Sequence, residues 1–236
     1  MNMEKPLCPI CKKRTINFYV RVDRIFQSQG FYCANCRKTV ETEKPEPVIF
    51  RMDIHDFLNS HREKYNVIYA DPPWQYRENT TTQDLRIENH YQTMTSEELA
   101  KIPIQDISES NAILFLWCPN PKLQEGLRII ESWQFDYSTK ITWIKISRNG
   151  KPRMSLGHNV RSVNEDLLIA KRGKFPVPSK KFLSVFNAQQ KNHSEKPDII
   201  YSMIEEMYPE GHRIELFARK IRKGWTGIGL EAEPLK

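Results

Sequence analysis

The consecutive residues Asp71, Pro72, Pro73 and Trp74 are the part of this chain best equipped for chemistry. They follow the strand-like run Asn66–Ala70, so the carboxylate is expected where a buried strand opens into a loop. In open α/β sheets that position is where ligands bind. An acid, two prolines and an aromatic suit a poor nucleophile such as the exocyclic amine of a nucleobase, whose lone pair is delocalised into the ring. A carboxylate accepting one N–H and a backbone carbonyl accepting the other hold the amine and favour a pyramidal, more nucleophilic nitrogen. Pro72 and Pro73 fix φ and carry no N–H, so the loop is stiff and presents carbonyls. Trp74 offers a flat face for base stacking, worth ~1–3 kcal/mol in single-strand binders. No strong base is needed, because the amine can lose its proton after attack. A base inside a duplex cannot reach such a pocket and must be single-stranded or flipped out.

A second constellation lies near the N-terminus. Cys8 and Cys11 form one CxxC knuckle and Cys33 and Cys36 another, 21 residues apart. Four thiolates at this spacing suit a closed, structural tetrahedral zinc site. Disulfides are the alternative, but nothing suggests secretion. Cys118 ends an apolar run and reads as an inert core thiol.

The elements that must position these groups follow from the pattern. Residues 1–40 read as a zinc ribbon, 41–47 as a charged, proline-containing linker, and 48–236 as the main domain. A ribbon under ~40 residues buries too little core to fold without its metal. From residue 48 strand-like segments (Val67–Ala70, Ala112–Trp117, Thr139–Lys145, Asp166–Ala170, Arg213–Phe217, Trp225–Gly229) alternate with helix-like ones (Ser96–Lys101, Pro121–Trp133, Pro197–Met207). Thr95 and Glu98 form a capping box before the first helix. Leu123, Leu127 and Ile130 share one apolar face, as do Ile200, Met203, Ile204 and Met207. The expected fold is α/β, a Rossmann-like sheet covered on both faces.

Two long irregular stretches, Tyr76–Met94 and Ser147–Val163, are expected as substrate-facing walls. Tyr76, Arg77, His158 and Arg161 are the candidate substrate contacts within them. The 36 basic against 29 acidic residues give a net +7 and favour a polyanionic partner. No run approaches a membrane span, and the N-terminus lacks a signal-peptide core. The protein is expected in the cytoplasm, or in the nucleus of a eukaryote.

The tetrad and its surroundings resemble the MT-A-seventy family of adenine-N6 methyltransferases, from about Arg51 to Glu231. The similarity includes Asp53-Ile54, Tyr91–Met94 with Glu97–Leu99, Gly157-His158 with Glu165–Leu168, His193–Asp198, Glu215–Arg219 and Gly224-Trp225. The resemblance implies S-adenosyl-L-methionine as methyl donor, with Asp53 and Ile54 at its adenine and Glu215, Phe217 and Arg219 lining its pocket. Lys196 precedes Pro197 at a helix mouth, where ammonium and dipole suit the donor's carboxylate. Two departures stand out. Ile221-Arg222 replaces the family's His-Asn, and the ribose-binding Asn-Gln aligns with Leu230-Glu231, of which Glu231 alone can accept hydroxyls. The resemblance implies methyl transfer to the adenine N6 amine of nucleic acid, DNA favoured over RNA by the compact single chain. An RNA methyltransferase and a catalytically silent nucleic-acid-binding subunit are the alternatives, and a homodimer or hetero-partner is left open.

Overall fold

The computed structural model describes residues 16–20, 29–33, 39–40, 44–75, 93–154, 159–190 and 195–234. Cys8, Cys11, Cys36, Tyr76, Arg77 and His158 lie outside these residues, and Cys33 is described by its backbone alone. The chain divides into two compact units, Met1–Pro45 and Glu46–Lys236. In the first, β1 (Ile16–Val20), β2 (Gln29–Cys33) and β3 (Thr39–Val40) form an antiparallel meander.

The second unit is mixed α/β. In chain order it holds β4 (Val48–Phe50), α1 (Ile54–Ser60), β5 (Tyr65–Ala70), α2 (Ser96–Lys101), β6 (Ser108–Cys118), α3 (Leu123–Ser132), β7 (Asp136–Ile146), β8 (Asn164–Arg172) and β9 (Val185–Gln189). There follow α4 (Ile199–Met207), β10 (Arg213–Leu216), β11 (Lys220–Ile221), β12 (Thr226–Ile228) and β13 (Glu233–Pro234). Eight strands make one sheet in the order β4-β12-β10-β5-β6-β8-β7-β9. All run parallel except β8, which is antiparallel to both neighbours.

The expected strands and helices are all present. The β5 run is apolar throughout because both its faces are covered, as a central parallel strand requires. On one face Ile68, Leu114, Leu116 and Ile214 pack under α1, α2 and α3. On the other Val67, Tyr69, Phe115 and Trp117 meet Ile200, Met203, Ile204 and Met207 of α4, the stripe expected from their spacing. Thr95 and Glu98 close the capping box of α2.

The apolar stripe of α3 is a correction. Leu123 and Leu127 are exposed, and Gly126, Ile129 and Ile130 face the sheet instead. The helix lies so close to β6 that a Cβ on Gly126 would stand 2.6 Å from Cys118 Sγ. The glycine thus turns the helix toward the sheet, and the leucines are carried outward. Cys118 is a buried free thiol, pushed up to about 12 by burial, with Asp166 and Glu165 adding to the shift.

Sheet topology places the site. From β5 the chain proceeds to β6 on one side, while β10 proceeds to β12 on the other. The order therefore reverses between β5 and β10, and the crevice beyond their carboxyl ends is the binding position of open α/β sheets. Asp71 follows β5 there, Phe217–Arg219 follow β10, and Asp53 follows β4 on the same edge.

Candidate active site

The tetrad is fixed by its backbone. Asp71 N–H points to the Leu216 carbonyl across β10 at 3.5 Å, a long contact. Trp74 N donates to Pro72 O at 2.9 Å, and Met94 N donates to Pro73 O at 2.8 Å. Gln75 N returns to Met94 O at 3.0 Å, closing a bridge that pairs the loop with the residue before α2's cap. With the prolines supplying fixed φ, the loop has little freedom left. The Pro72 carbonyl keeps a second lone pair beside the one that Trp74 uses.

Trp74 departs from expectation. Its indole is 4% exposed, packed into the core beside α1 and α2, and Nε1 donates to Trp117 O at 3.1 Å. It presents no open face for a base; it anchors the loop to β6. The reason is local: a bulky ring two residues past Pro72 finds the apolar layer under α2 nearer than solvent.

Asp71 is the centre of a charge relay across the crevice. Lys196 Nζ donates to its Oδ1 at 2.7 Å and stands 3.2 Å from Glu165 Oε1. Lys145 holds the other oxygen of Glu165 at 2.8 Å. Arg219, 42% exposed, lies 3.6 Å from Asp71 Oδ2, beyond hydrogen-bond distance. Lys196 also rides over the Trp117 ring at 5.4 Å and Lys145 over Trp143 at 5.1 Å. Burial pushes the Asp71 carboxyl above its ordinary value and Glu165 adds to this, against the pull of Lys196 and Arg219. Burial opposes ionisation of Glu165 too, but Lys196 and Lys145 together hold it below the usual carboxylate range. Lys196 suffers the same desolvation, yet Asp71 and Glu165 raise it above the ordinary ammonium value. Lys196 therefore sits on the acid itself rather than at the mouth of α4, whose first residue is Ile199.

Glu215 occupies the register position opposite Tyr69 and Gly227. It is buried, and Tyr201 of α4 donates to Oε2 at 2.7 Å. Burial pushes its carboxyl up to about 8, partly offset by the Tyr201 hydrogen bond and reinforced by Asp71. Tyr69, wholly buried, takes the Trp117 indole N–H at 2.7 Å. Phe217 has φ of 61°, a left-handed backbone that a non-glycine residue adopts only under constraint. Beyond that turn Ala218 N donates to Ile228 O at 2.7 Å, and Arg219 reaches toward Asp71.

The remaining candidates divide. Asp53 caps α1, accepting from His55 N at 2.8 Å, and Ile54 is buried in the core. Leu230 is 61% exposed and Glu231 lies beside it, exposed, just past β12. Arg161 is exposed ahead of β8, on the same edge as Asp71. Glu165, Lys145, Trp117 and Tyr201 were not among the expected site residues. A signal existed for Glu165: two acids, Glu165 and Asp166, open a strand that is otherwise apolar to Ala170. Asp166 itself points to the other face, held by Lys140 at 2.7 Å and Thr142 at 2.6 Å.

The model of the MT-A70 family matches residues 65–231, most of the chain and the site just described apart from Asp53 and Ile54. This chain belongs to the MT-A70 family. A type II methyltransferase of a Mycoplasma species, M.MunI, is 32% identical over 189 residues, which are 72% of this chain and 78% of that protein. The human N(6)-adenosine-methyltransferase catalytic subunit METTL3 is 30% identical over 70% of this chain and 28% of its own length. The human N(6)-adenine-specific methyltransferase METTL4 is 26% identical over 74% of this chain and 39% of its own. The chain thus spans most of the bacterial relative and well under half of the human ones.

Whether the crevice suits the family's donor can be judged from its side chains. S-adenosyl-L-methionine carries a sulfonium, a carboxylate, an amine and a ribose diol. The edge offers carboxyl groups at Asp71, Glu215, Asp53 and Glu231 and cations at Lys196 and Arg219. Both signs of charge and hydroxyl acceptors are present, so the residues fit. Among the described residues no cluster of His, Cys, Asp or Glu could hold a metal ion.

Proposed function

We propose that this chain is an S-adenosyl-L-methionine-dependent methyltransferase acting on the N6 amine of adenine in DNA. The observation that carries the reading is Asp71, a carboxylate held by Lys196 at the switch point of the sheet, on a loop locked by two prolines and four backbone contacts. Oδ1 is occupied by Lys196, while Oδ2 accepts no hydrogen bond among the described residues. Oδ2 and the spare lone pair of Pro72 O are therefore the acceptors for the two N–H groups of the amine. Bound S-adenosyl-L-methionine supplies an electrophilic methyl group on a positively charged sulfur. The protein's part is proximity and orientation, which alone account for several kcal/mol of barrier in well-aligned transfers. Glu215, Lys196, Arg219, Asp53 and Glu231 would hold the donor from the β10, α4, β4 and β12 sides. Trp74 positions the loop through its bond to Trp117 O.

DNA is preferred to RNA because the chain matches the bacterial type II methyltransferase over most of both lengths. A silent subunit would have no use for the buried pair of Asp71 and Lys196 at the switch point. The deciding experiment offers purified protein and labelled donor with duplex DNA, single-stranded DNA and RNA in parallel, and digests the product. N6-methyladenine from DNA is expected. In the same assay Asp71→Ala is expected to lose at least a thousandfold in transfer while calorimetric donor binding persists. Transfer at the wild-type rate in that variant would overturn the mechanism.

For residues 1–40 the reading remains a zinc ribbon bound through Cys8, Cys11, Cys33 and Cys36. One zinc per chain by metal analysis, lost in Cys8→Ser, is the expected outcome. Metal-free protein with normal folding would exclude it.

A further inference from the structure

The charges of this chain are unevenly placed. Between Asp136 and Glu195 stand twelve Lys and Arg but two acids, Glu165 and Asp166. That segment carries a formal +10 and the rest of the chain −3, against a total of +7. Both acids are buried and spent in ion pairs, Glu165 with Lys145 and Lys196 and Asp166 with Lys140. Among its described residues, the surface made by β7, β8, β9 and their connections therefore exposes a single carboxylate, Asp136 at the start of β7, paired in register with Lys171. Lys180 is paired with Glu206 of α4. Arg148, Lys151, Arg153, Arg161, Lys174 and Lys181 are exposed and make no ion pair with another described residue.

These six fall into two groups at opposite ends of the same strands. Arg148, Lys151 and Arg153 belong to the turn after β7, where Ser147 N donates to Lys151 O and Arg153 N to Lys145 O. With Arg161 before β8, they share the edge that carries Asp71. Lys174 follows the far end of β8, and Lys181 lies on the segment returning to β9. That segment is tied down: Lys174 N donates to Asn111 Oδ1, and Ser179 N to Met207 O. Phe175 and Phe182 pack beneath it. Between the groups runs β8, whose nine residues make eight steps from first to last, or roughly 27 Å at ~3.4 Å per step. Along B-DNA that is about eight base pairs.

We infer that the β7–β9 half of the sheet is a phosphate track for duplex DNA, gripping the backbone some eight base pairs from the reacting adenine through Lys174 and Lys181. A stiff duplex reaches both groups at once, whereas a single nucleotide in the crevice touches the near group alone. The inference rests on the proposed function for its polymer, but DNA binding is measured without methyl transfer.

The test measures duplex binding by fluorescence anisotropy across a salt series, beside methylation kinetics. For Lys174→Ala with Lys181→Ala, the slope of log affinity against log salt should fall by about 2, at ~0.9 for each phosphate no longer neutralised. KM should rise severalfold with kcat unchanged, and a duplex trimmed to fewer than about eight base pairs on the track side should cost the wild type the same affinity. Lys101→Ala with Arg128→Ala, on α2 and α3, is the control expected to change nothing. An unchanged slope in the track variant, or equal affinity for single strands of the same length, overturns the track while leaving the methyltransferase reading intact. Duplex binding with these salt slopes but no methylation of any polymer overturns the reading and leaves the track.

Discussion

Lys196 Nζ stands 2.7 Å from Asp71 Oδ1 although 125 residues separate them in the chain. The two halves of the site, the tetrad after β5 and the approach to α4, meet in that one ion pair. Lys196 is the largest influence lowering the Asp71 carboxyl, while burial and Glu165 push it up. Lys196→Met removes the lowering influence, so Asp71 should take up its proton at higher pH. An acid that must be ionised to accept the amine is silenced below its pKa, at about tenfold per unit. The acidic limb of kcat/KM should therefore move upward, with about a tenfold loss below it for each unit that it moves, regained as pH rises. Lys196→Arg should restore the wild-type limb. A pH profile unmoved in Lys196→Met would show that the pair does not set the state of Asp71.

The same pair makes a stability prediction. Lys196→Met strands Asp71 and Glu165 facing each other without their shared cation. Removing one partner of a buried pair costs about 3 kcal/mol or more, because an uncompensated charge is left behind. Lys196→Met combined with Glu165→Gln should be less destabilised than the single variant, since one carboxylate is neutralised. Urea unfolding at pH 7 reads the difference, and a double variant at least as unstable as the sum of the singles would contradict the coupling.

Glu215 supplies a pH dependence of stability. Its carboxyl titrates at about 8 in the fold against 4.5 ordinarily, chiefly through burial. Between those values the unfolded chain has released its proton and the folded chain has not. Stability contributed by this group is therefore complete below pH 4.5, declines by about 1.4 kcal/mol per pH unit, and is gone above 8. Glu215→Gln keeps an acceptor for Tyr201 and has no proton to lose. Measured without donor, its melting temperature should match wild type near pH 4, exceed it increasingly up to pH 8, and hold a constant margin above. A margin independent of pH would mean that Glu215 is ionised in the fold.

Much of this was legible in the sequence, and the failures have physical causes. β5, β6, β8, β10 and β12 announced themselves because central strands of a covered sheet are apolar on both faces, and β7 through its alternation at Ile141 and Trp143. β9, an edge strand alternating exposed and half-buried residues, and the short α1 are not among the expected elements. The α1 signal was present in Asp53 as cap and in Ile54, Phe57 and Leu58 as its buried side. Gly126 hid the true face of α3, because periodicity counts side chains and not the close approach that a missing one permits. Asp71 stands out through its motif, an acid before two prolines and an aromatic at the end of a strand-like run. Glu165 needed pairing information: its partner Lys196 lies across the sheet, and a strand read alone does not show what crosses above it.

Trp74 tests how the loop works. Stacking a base would expose the ring, but Nε1 instead donates to Trp117 O in the core, 43 residues away. Trp74→Phe keeps an aromatic face and deletes the donor, leaving a buried carbonyl one partner short at a cost of ~1–2 kcal/mol. If the ring positions the tetrad, Asp71 and Pro72 lose their fixed geometry, and kcat should drop about tenfold with KM within twofold of wild type. If the ring stacks the substrate, phenylalanine should raise KM and leave kcat nearly alone. The two outcomes separate in one set of initial-rate measurements. The buried hydrogen bond between Trp74 and Trp117 favours the first, since the indole cannot keep that bond and leave the core to meet a base.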